Sequence, residues 1–175
     1  GTGALACAGI AGGLTPGKAI FDSVCIFMAG WDTGGFAPQS QSLLFYHNFA
    51  YELIAVSIML LGSINFALHY AAWTGNRREL IRNIEIVTLF ICIVATLSIT
   101  AWGLMGRNIY TGAVPFFRKT FFQLISAHTG TGYMTIYARQ FVREWGQLAM
   151  LGIIIAMGIG GSMCSTTGAI KVLRI

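Results

Sequence analysis

Apolar runs of two different lengths alternate with short polar breaks along the chain. The longer kind is clearest at 86–104, nineteen residues without a charge, close to the roughly 20 that a helix needs to cross a bilayer. The run 43–70 and a run that begins at 145 predict two further spans. Residues 1–14 are apolar but too short to cross, so we expect them to be the end of a span that begins before residue 1.

The shorter kind of run occurs twice, at 17–31 and 116–127, each preceded by a proline and followed by a glycine-rich tail. Proline suits the start of a helix because its missing N–H would have no partner there. Runs of this length favour a helix that enters the membrane and returns, rather than a full crossing. The two glycine tails, 33–35 and 130–132, consist of Thr33, Gly34, Gly35, Gly130, Thr131 and Gly132.

The two tails indicate an internal repeat. They lie 97 residues apart, and an aromatic residue follows each, Phe36 or Tyr133. A second match, 59–62 with 157–160, has a spacing of 98, so one insertion separates the copies. The unit is a span, a short helix with a glycine tail and a second span, an organisation common among transport proteins. The predicted division is most of one repeat at 1–73, a connecting loop at 74–83 and the next repeat at 84–175.

Composition agrees with a membrane location. Hydrophobic residues make up 55% of the 175 residues, the mean hydropathy is +0.70, and only 10% are charged, against about 25% in soluble domains. This charge cannot cover a water-facing surface, which excludes ordinary soluble and disordered classes. The net charge is +5, but the basic residues are dispersed, which argues against a nucleic-acid partner. The four cysteines show no CxxC spacing, so neither a disulfide framework nor a zinc site is indicated.

A short helix that returns as a glycine-rich strand is suited to selecting a cation. The strand can direct successive backbone carbonyls at one axis, where they replace the water shell of the ion. Neighbouring carbonyls face the same way only if some residues adopt unusual dihedral angles, which glycine tolerates. The tails at 33–35 and 130–132 fit this requirement. The alternative is a pair of turns at the membrane surface, although the repetition favours a filter.

A run of small and hydroxyl residues follows the last apolar run. A helix entering near Gln147 needs about 20 residues to cross, so residues 160–168 fall within the membrane. Irregular backbone at that depth must line water or pack within protein, and it makes a natural gate. The alternative is that the span simply ends at Gly160. The candidate gating residues are Gly160, Gly161, Ser162, Ser165, Thr166 and Gly168.

At this point the sequence resembles the Trk/Ktr/HKT potassium-uptake superfamily, and within it the membrane subunits of bacterial Trk systems. The residues that carry the resemblance are 34–36, 59–70, 126–133 and 160–171, and it covers nearly the whole chain. It implies an all-α integral membrane fold of four span–pore loop–span repeats around one pore, of which this chain holds two. It also implies that the run 160–168 is the gate of the pore.

The resemblance implies a function without covalent chemistry. We expect potassium uptake across the cytoplasmic (inner) membrane of a bacterium by a multi-pass protein, with the ion held by filter carbonyls and no other cofactor. The loop 74–83 would be cytoplasmic. The implied partners are membrane lipid, the missing repeats of the same pore, a second copy in a homodimer and a cytoplasmic nucleotide-binding regulatory subunit.

The chain departs from the family pattern at four places. Cys164 and Ala169 replace residues that are commonly glycine, and Asp32 and His128 beside the tails are unexpected. Two other classes of protein share some of these features. A secondary carrier with discontinuous helices would share the broken spans. An integral-membrane enzyme is disfavoured because the three histidines have no catalytic or metal-ligand spacing to acidic residues.

Overall fold

The computed structural model describes residues 1–75, 82–105, 107, 109–110 and 112–171. Most of the predicted connecting loop 74–83, namely 76–81, lies outside the described residues. The helices are α1 (Thr2–Ala11), α2 (Pro16–Trp31), a 3₁₀ turn (Ser42–Tyr46), α3 (Phe49–Ser63), α4 (Phe66–Trp73), α5 (Ile84–Met105), α6 (Ala113–His128), α7 (Ala138–Glu144) and α8 (Gly146–Gly158). The all-α prediction is confirmed.

One helix of the described part, α5, is long and apolar enough by itself to cross a membrane. Its 22 residues contain the predicted span 86–104. Two bent pairs meet the same criterion only when each pair is taken together: α3 with α4, bent by 101°, and α7 with α8, bent by 119°. By length and composition, the described residues therefore offer between one and three spans.

The predicted span 43–70 is not one continuous helix. It begins as a 3₁₀ turn, becomes α3, and breaks at Ile64, which has an extended backbone (φ −87°, ψ 145°). Two side chains make the break favourable. The Asn65 carboxamide oxygen accepts from the backbone N–H of Ala67 at 2.9 Å and so caps α4. The His69 Nε2 donates to the Leu61 carbonyl at 2.9 Å, a group that also accepts from the Ile64 N–H at 3.3 Å in place of the N–H of a continuing helix.

The two short helices α2 and α6 are copies of each other in position and length. Each has 16 residues, and both of their bounds differ by 97, the spacing of the sequence repeat. At 1.5 Å per residue each is about 24 Å long, less than the roughly 30 Å hydrocarbon core. Their geometry therefore agrees with the predicted short, non-crossing helices.

The interior is shared by both repeats, since α3 of the first packs against α6 of the second. Large, fully buried side chains come from both: Ile26, Tyr51, Met59, Phe122, Tyr133 and Trp145. Glycines let the most extensive helix pair, α5 with α8, approach closely. A Cβ built on Gly103 would lie 2.7 Å from the Ala149 nitrogen, and one on Gly152 would overlap the Thr100 hydroxyl.

Candidate functional site

The backbone of the two glycine tails repeats residue by residue. Positive φ angles occur at Thr33 (53°) and Gly35 (70°) in the first tail and at Gly130 (68°) and Gly132 (83°) in the second. These pairs are related by the same spacing of 97. In each tail, left-handed residues flank one that is not left-handed, the kind of alternation that can turn successive carbonyls toward one side.

Each tail is also fixed to its own helix in the same way. The backbone N–H of Gly34 donates to the Ala29 carbonyl at 2.8 Å, and that of Thr131 donates to the Ser126 carbonyl at 3.1 Å. The next residue of each tail donates to the same carbonyl, at 3.3 and 3.4 Å. These bonds occupy carbonyls of the last helical turn, so they end the helix and set the direction in which the tail leaves it.

The fold brings the two tails into contact. A Cβ built on Gly35 would overlap the Thr131 carbonyl oxygen and lie 3.7 Å from the Gly132 nitrogen. A filter requires its segments to lie within about 15 Å of one another, because they share a dehydrated ion. The two tails meet this condition. Only glycine fits at position 35, both for its φ angle and for the space available.

Tyr133 ties the second tail to the first repeat. Its side chain is fully buried, and its hydroxyl lies 3.0 Å from the Ile26 carbonyl and 3.2 Å from the Phe36 carbonyl. Phe36, at the same position of the first repeat, is instead 80% exposed. Sequence reasoning used Tyr133 only as a marker of the repeat. The tyrosine hydroxyl, which Phe36 lacks, could have indicated from the sequence that this position makes a buried hydrogen bond.

The small-residue run 160–168 forms a closed loop. Helix α8 ends at Gly158, and the described residues that follow, 159–171, are not helical. The ends of the loop pair with each other, because the Gly160 N–H donates to the Ile170 carbonyl at 2.8 Å and the Ile170 N–H donates to the Gly158 carbonyl at 3.2 Å. Ser165 donates to the Ser162 carbonyl at 2.6 Å and so braces the loop from within. We call residues 160–168 the small-residue loop.

Thr166 connects this loop to the base of the first tail. Its hydroxyl lies 3.0 Å from the Trp31 carbonyl at the end of α2 and 2.9 Å from the Gly62 carbonyl beside the break in the second span. It also lies 3.4 Å from the Thr33 hydroxyl. The second tail is near as well, since a Cβ on Gly130 would lie 3.9 Å from the Gly168 nitrogen. The loop therefore reaches both tails at equivalent residues, 33 and 130.

The two departures from glycine in and beside the loop fall on left-handed residues. Cys164 has φ 52° and Ala169 has φ 62°. This conformation costs a residue with a Cβ roughly 1–2 kcal/mol. Glycine would adopt this conformation without that cost, so the backbone at both residues is under strain.

His128 and Asp32, the other two departures, have different surroundings. His128 is 2% exposed. Its Nδ1 donates to the Ile159 carbonyl at 3.1 Å, so its Nε2, 2.8 Å from the Thr96 hydroxyl, is the acceptor there. It therefore joins α5 to the neck of the small-residue loop. Asp32 is exposed at the end of α2.

Acidic, histidine and cysteine side chains do not cluster here. Among the described residues, no three of them are placed to hold a metal ion. The polar groups that the tails offer are backbone carbonyls and threonine hydroxyls. Such oxygen donors suit a weakly bound, passing monovalent cation.

Two short helices in repeat register, each followed by a glycine tail and packed among apolar helices that include a full span, are typical of membrane transport proteins. No protein-family model matches the chain. It is 28% identical over 159 residues to the Trk system potassium uptake protein TrkG of Escherichia coli K12, covering 90% of this chain and 32% of that protein. It is 30% identical over 161 residues to an uncharacterized cation transporter of Methanocaldococcus jannaschii, with coverages of 90% and 30%.

The similarity extends to a solved structure. The chain matches the crystal structure of the potassium transporter TrkH from Vibrio parahaemolyticus with a TM-score of 0.82 and 27% identity, over 99% of this chain and 36% of that one. The chain is therefore TrkH-like in sequence and fold across nearly its whole length. It spans about a third of the length of these relatives. The relatives with a described role are transporters, which supports the expectation that this chain is not an enzyme.

Proposed function

We propose that the chain forms two consecutive repeats of a pore for potassium uptake across the inner membrane of a bacterium. The observation that carries this proposal is the pair of glycine tails, whose left-handed residues recur at a spacing of 97 and which lie against each other at Gly35 and Thr131. The names of the relatives, Trk potassium uptake proteins, support potassium as the ion. In this proposal 1–73 and 84–175 are successive repeats, 74–83 is cytoplasmic, and two further repeats complete the pore.

The proposed filter works through backbone oxygens. Carbonyls of residues 33–35 and 130–132 replace the water shell of potassium, so the ion loses its water without a large cost. The C-terminal ends of α2 and α6 lead into these tails. The partly negative ends of both helices therefore stabilise a cation nearby. Exposed Asp32, next to the first tail, adds a negative charge that attracts cations.

The proposed gate is the small-residue loop. Thr166 contacts Thr33, and Gly168 lies near Gly130, so the loop stands at the base of both tails. A loop held there by a few hydrogen bonds obstructs the path and can be displaced at modest cost. The homodimer, the nucleotide-binding regulatory subunit and the surrounding lipid belong to the same proposal and rest on the family resemblance.

The filter is tested by replacing Gly35 with alanine in the complete transporter. The added methyl group overlaps the Thr131 carbonyl, and the residue must keep φ +70°, so we expect rubidium uptake to fall at least about tenfold. Uptake is measured in cells that lack their own potassium importers. The matched control is Gly17→Ala, on the same short helix, where a Cβ meets nothing within 4 Å.

The gate is tested by deleting part of 160–168 in the same cells. We expect rubidium uptake to rise, because an obstruction is removed while the filter is retained. Protein abundance in the membrane is measured in parallel. Equal uptake by Gly35→Ala and Gly17→Ala would refute the filter, and unchanged uptake by the normally abundant deletion variant would refute the gate.

A further inference from the structure

Two residues of opposite charge occupy the same place in the two short helices. Asp22 lies six residues after Pro16, the first residue of α2, and Lys119 lies six residues after Ala113, the first residue of α6. The two are separated by 97, so they correspond in the repeat. A charged group inside a short apolar helix is costly unless it is paired, and each of these has specific partners.

Asp22 binds the segment that follows the first tail. Its side chain is 1% exposed, and Oδ2 accepts from the Tyr46 hydroxyl at 2.9 Å and from Gln39 Nε2 at 3.3 Å. Gln39 comes four residues after Gly35. A carboxylate only accepts, so the Tyr46 hydroxyl is the donor in this bond.

Lys119 binds the equivalent segment after the second tail. Its Nζ donates to the carbonyl of Thr135 at 2.5 Å, and Thr135 is fully buried three residues after Gly132. The ammonium also lies 4.0 Å from Glu52 Oε1, which partly balances its charge. Glu52 itself is 4% exposed and pairs with Arg118 Nε at 2.5 Å. Through Glu52, Lys119 is therefore linked to α3 of the first repeat.

We propose that Asp22 and Lys119 are positioning residues that hold the far ends of the two glycine tails, and that they thereby maintain ion selectivity. This inference rests on the proposed function. The near end of each tail is fixed by the bonds back to its helix. Beyond the tails, Asp22 and Lys119 add charge-assisted bonds to the neutral ones that Ser126 and Tyr133 make after the second tail. The two chemistries are complementary: the carboxylate takes side-chain donors, and the ammonium takes a backbone carbonyl. Neither charge is required to touch the ion.

The test uses the complete transporter, with rubidium and sodium uptake measured separately in importer-deficient cells. Lys119→Met removes the donor and nearly preserves length, and Asp22→Asn removes the charge. Charge-assisted hydrogen bonds are the strong ones, so we expect each change to lower the rubidium-to-sodium ratio at least about threefold. Lys119→Arg retains a donor and should restore most of the ratio. The matched control is Lys18→Met, an exposed lysine of α2 that lies over the Phe45 ring.

A second measurement isolates the Tyr46 contact. Tyr46→Phe removes only the hydroxyl, so combining it with Asp22→Asn should lower the ratio little further than Asp22→Asn alone. Combining Asp22→Asn with Lys119→Met should multiply the two losses, because they act on different tails. A ratio equal to that of the unsubstituted protein in both single variants, or a fall in abundance without a change in ratio, overturns the inference. Absence of rubidium uptake by the unsubstituted protein would instead refute the proposed function.

Discussion

Replacing Thr166 with valine removes one hydroxyl from the small-residue loop and nearly preserves the side-chain volume. That hydroxyl lies within hydrogen-bond distance of the Trp31 and Gly62 carbonyls, at 3.0 and 2.9 Å. A hydroxyl has one proton, so one good hydrogen bond is lost. The Gly62 carbonyl keeps the Thr166 backbone N–H at 3.3 Å, so the Trp31 carbonyl is the partly buried group that can be left unpaired. The loss to the anchored loop is about 1–3 kcal/mol. If the anchored loop is the closed state, the open fraction rises by about 5- to 150-fold while it remains small.

The assay is rubidium uptake by the complete transporter, with abundance measured in the same membranes. The control is Thr88→Val on α5, whose hydroxyl bonds to the Ile84 carbonyl of its own helix at 2.7 Å, far along the chain from the loop. We expect Thr166→Val to raise uptake above both the control and the unsubstituted protein, with the rubidium-to-sodium ratio preserved. Unchanged or reduced uptake at normal abundance would show that the contact does not hold the pore closed.

Two further predictions concern stability. Cys164→Gly and Ala169→Gly should each raise the melting temperature of the detergent-solubilised protein, because removing the backbone strain of a left-handed residue stabilises the fold by about 1 kcal/mol. The control Ala71→Gly, in α4, should lower the melting temperature. A lower melting temperature in all three variants would contradict the strain explanation. Gly152→Ala should lower the melting temperature, because its methyl group overlaps the Thr100 hydroxyl between α5 and α8, at a cost of about 1–3 kcal/mol. Gly3→Ala, where a Cβ meets nothing within 4 Å, is the control, and equal melting temperatures would refute the close-packing explanation.

The short helices were predictable because their signals are local. Proline near the start and glycine after the end lie within the segment itself, and the expected runs 17–31 and 116–127 fall inside α2 and α6. The repeat was equally accessible, since it needs only comparison of the chain with itself. The end of α8 at Gly158 could be anticipated for the same reason. A run of glycine, serine and threonine favours other conformations over an isolated membrane helix.

The contacts between distant residues could not be predicted in the same way. The break in the second span depends on two side chains: Asn65 caps α4, and His69 donates to the Leu61 carbonyl. A hydropathy window averages over these residues and so predicts one continuous span. The partners of Asp22 and Lys119 lie beyond the glycine tails and become neighbours only when the tails fold back. Asp22 and Lys119 occupy equivalent positions of the repeat. Because their charges are opposite, a comparison of residue types does not detect that they correspond.

The position of the small-residue loop follows from a feature that both repeats share. In the first repeat α3 ends at Ser63, and in the second α8 ends at Gly158, so both helices stop within three residues of equivalent positions. Each stop lies beside the end of a short helix: Gly62 packs on the Trp31 carbonyl, and His128 binds the Ile159 carbonyl. A helix that ends at this place leaves its last carbonyls without helical partners. This holds whether two residues follow, as after α3, or a whole loop follows, as after α8. A loop at this place therefore costs few additional helical hydrogen bonds. Its Thr166 serves carbonyls of the first repeat, with the hydroxyl near Trp31 and the backbone N–H donating to Gly62. A loop can therefore be accommodated beside the ends of α2 and α6 without disturbing either helix.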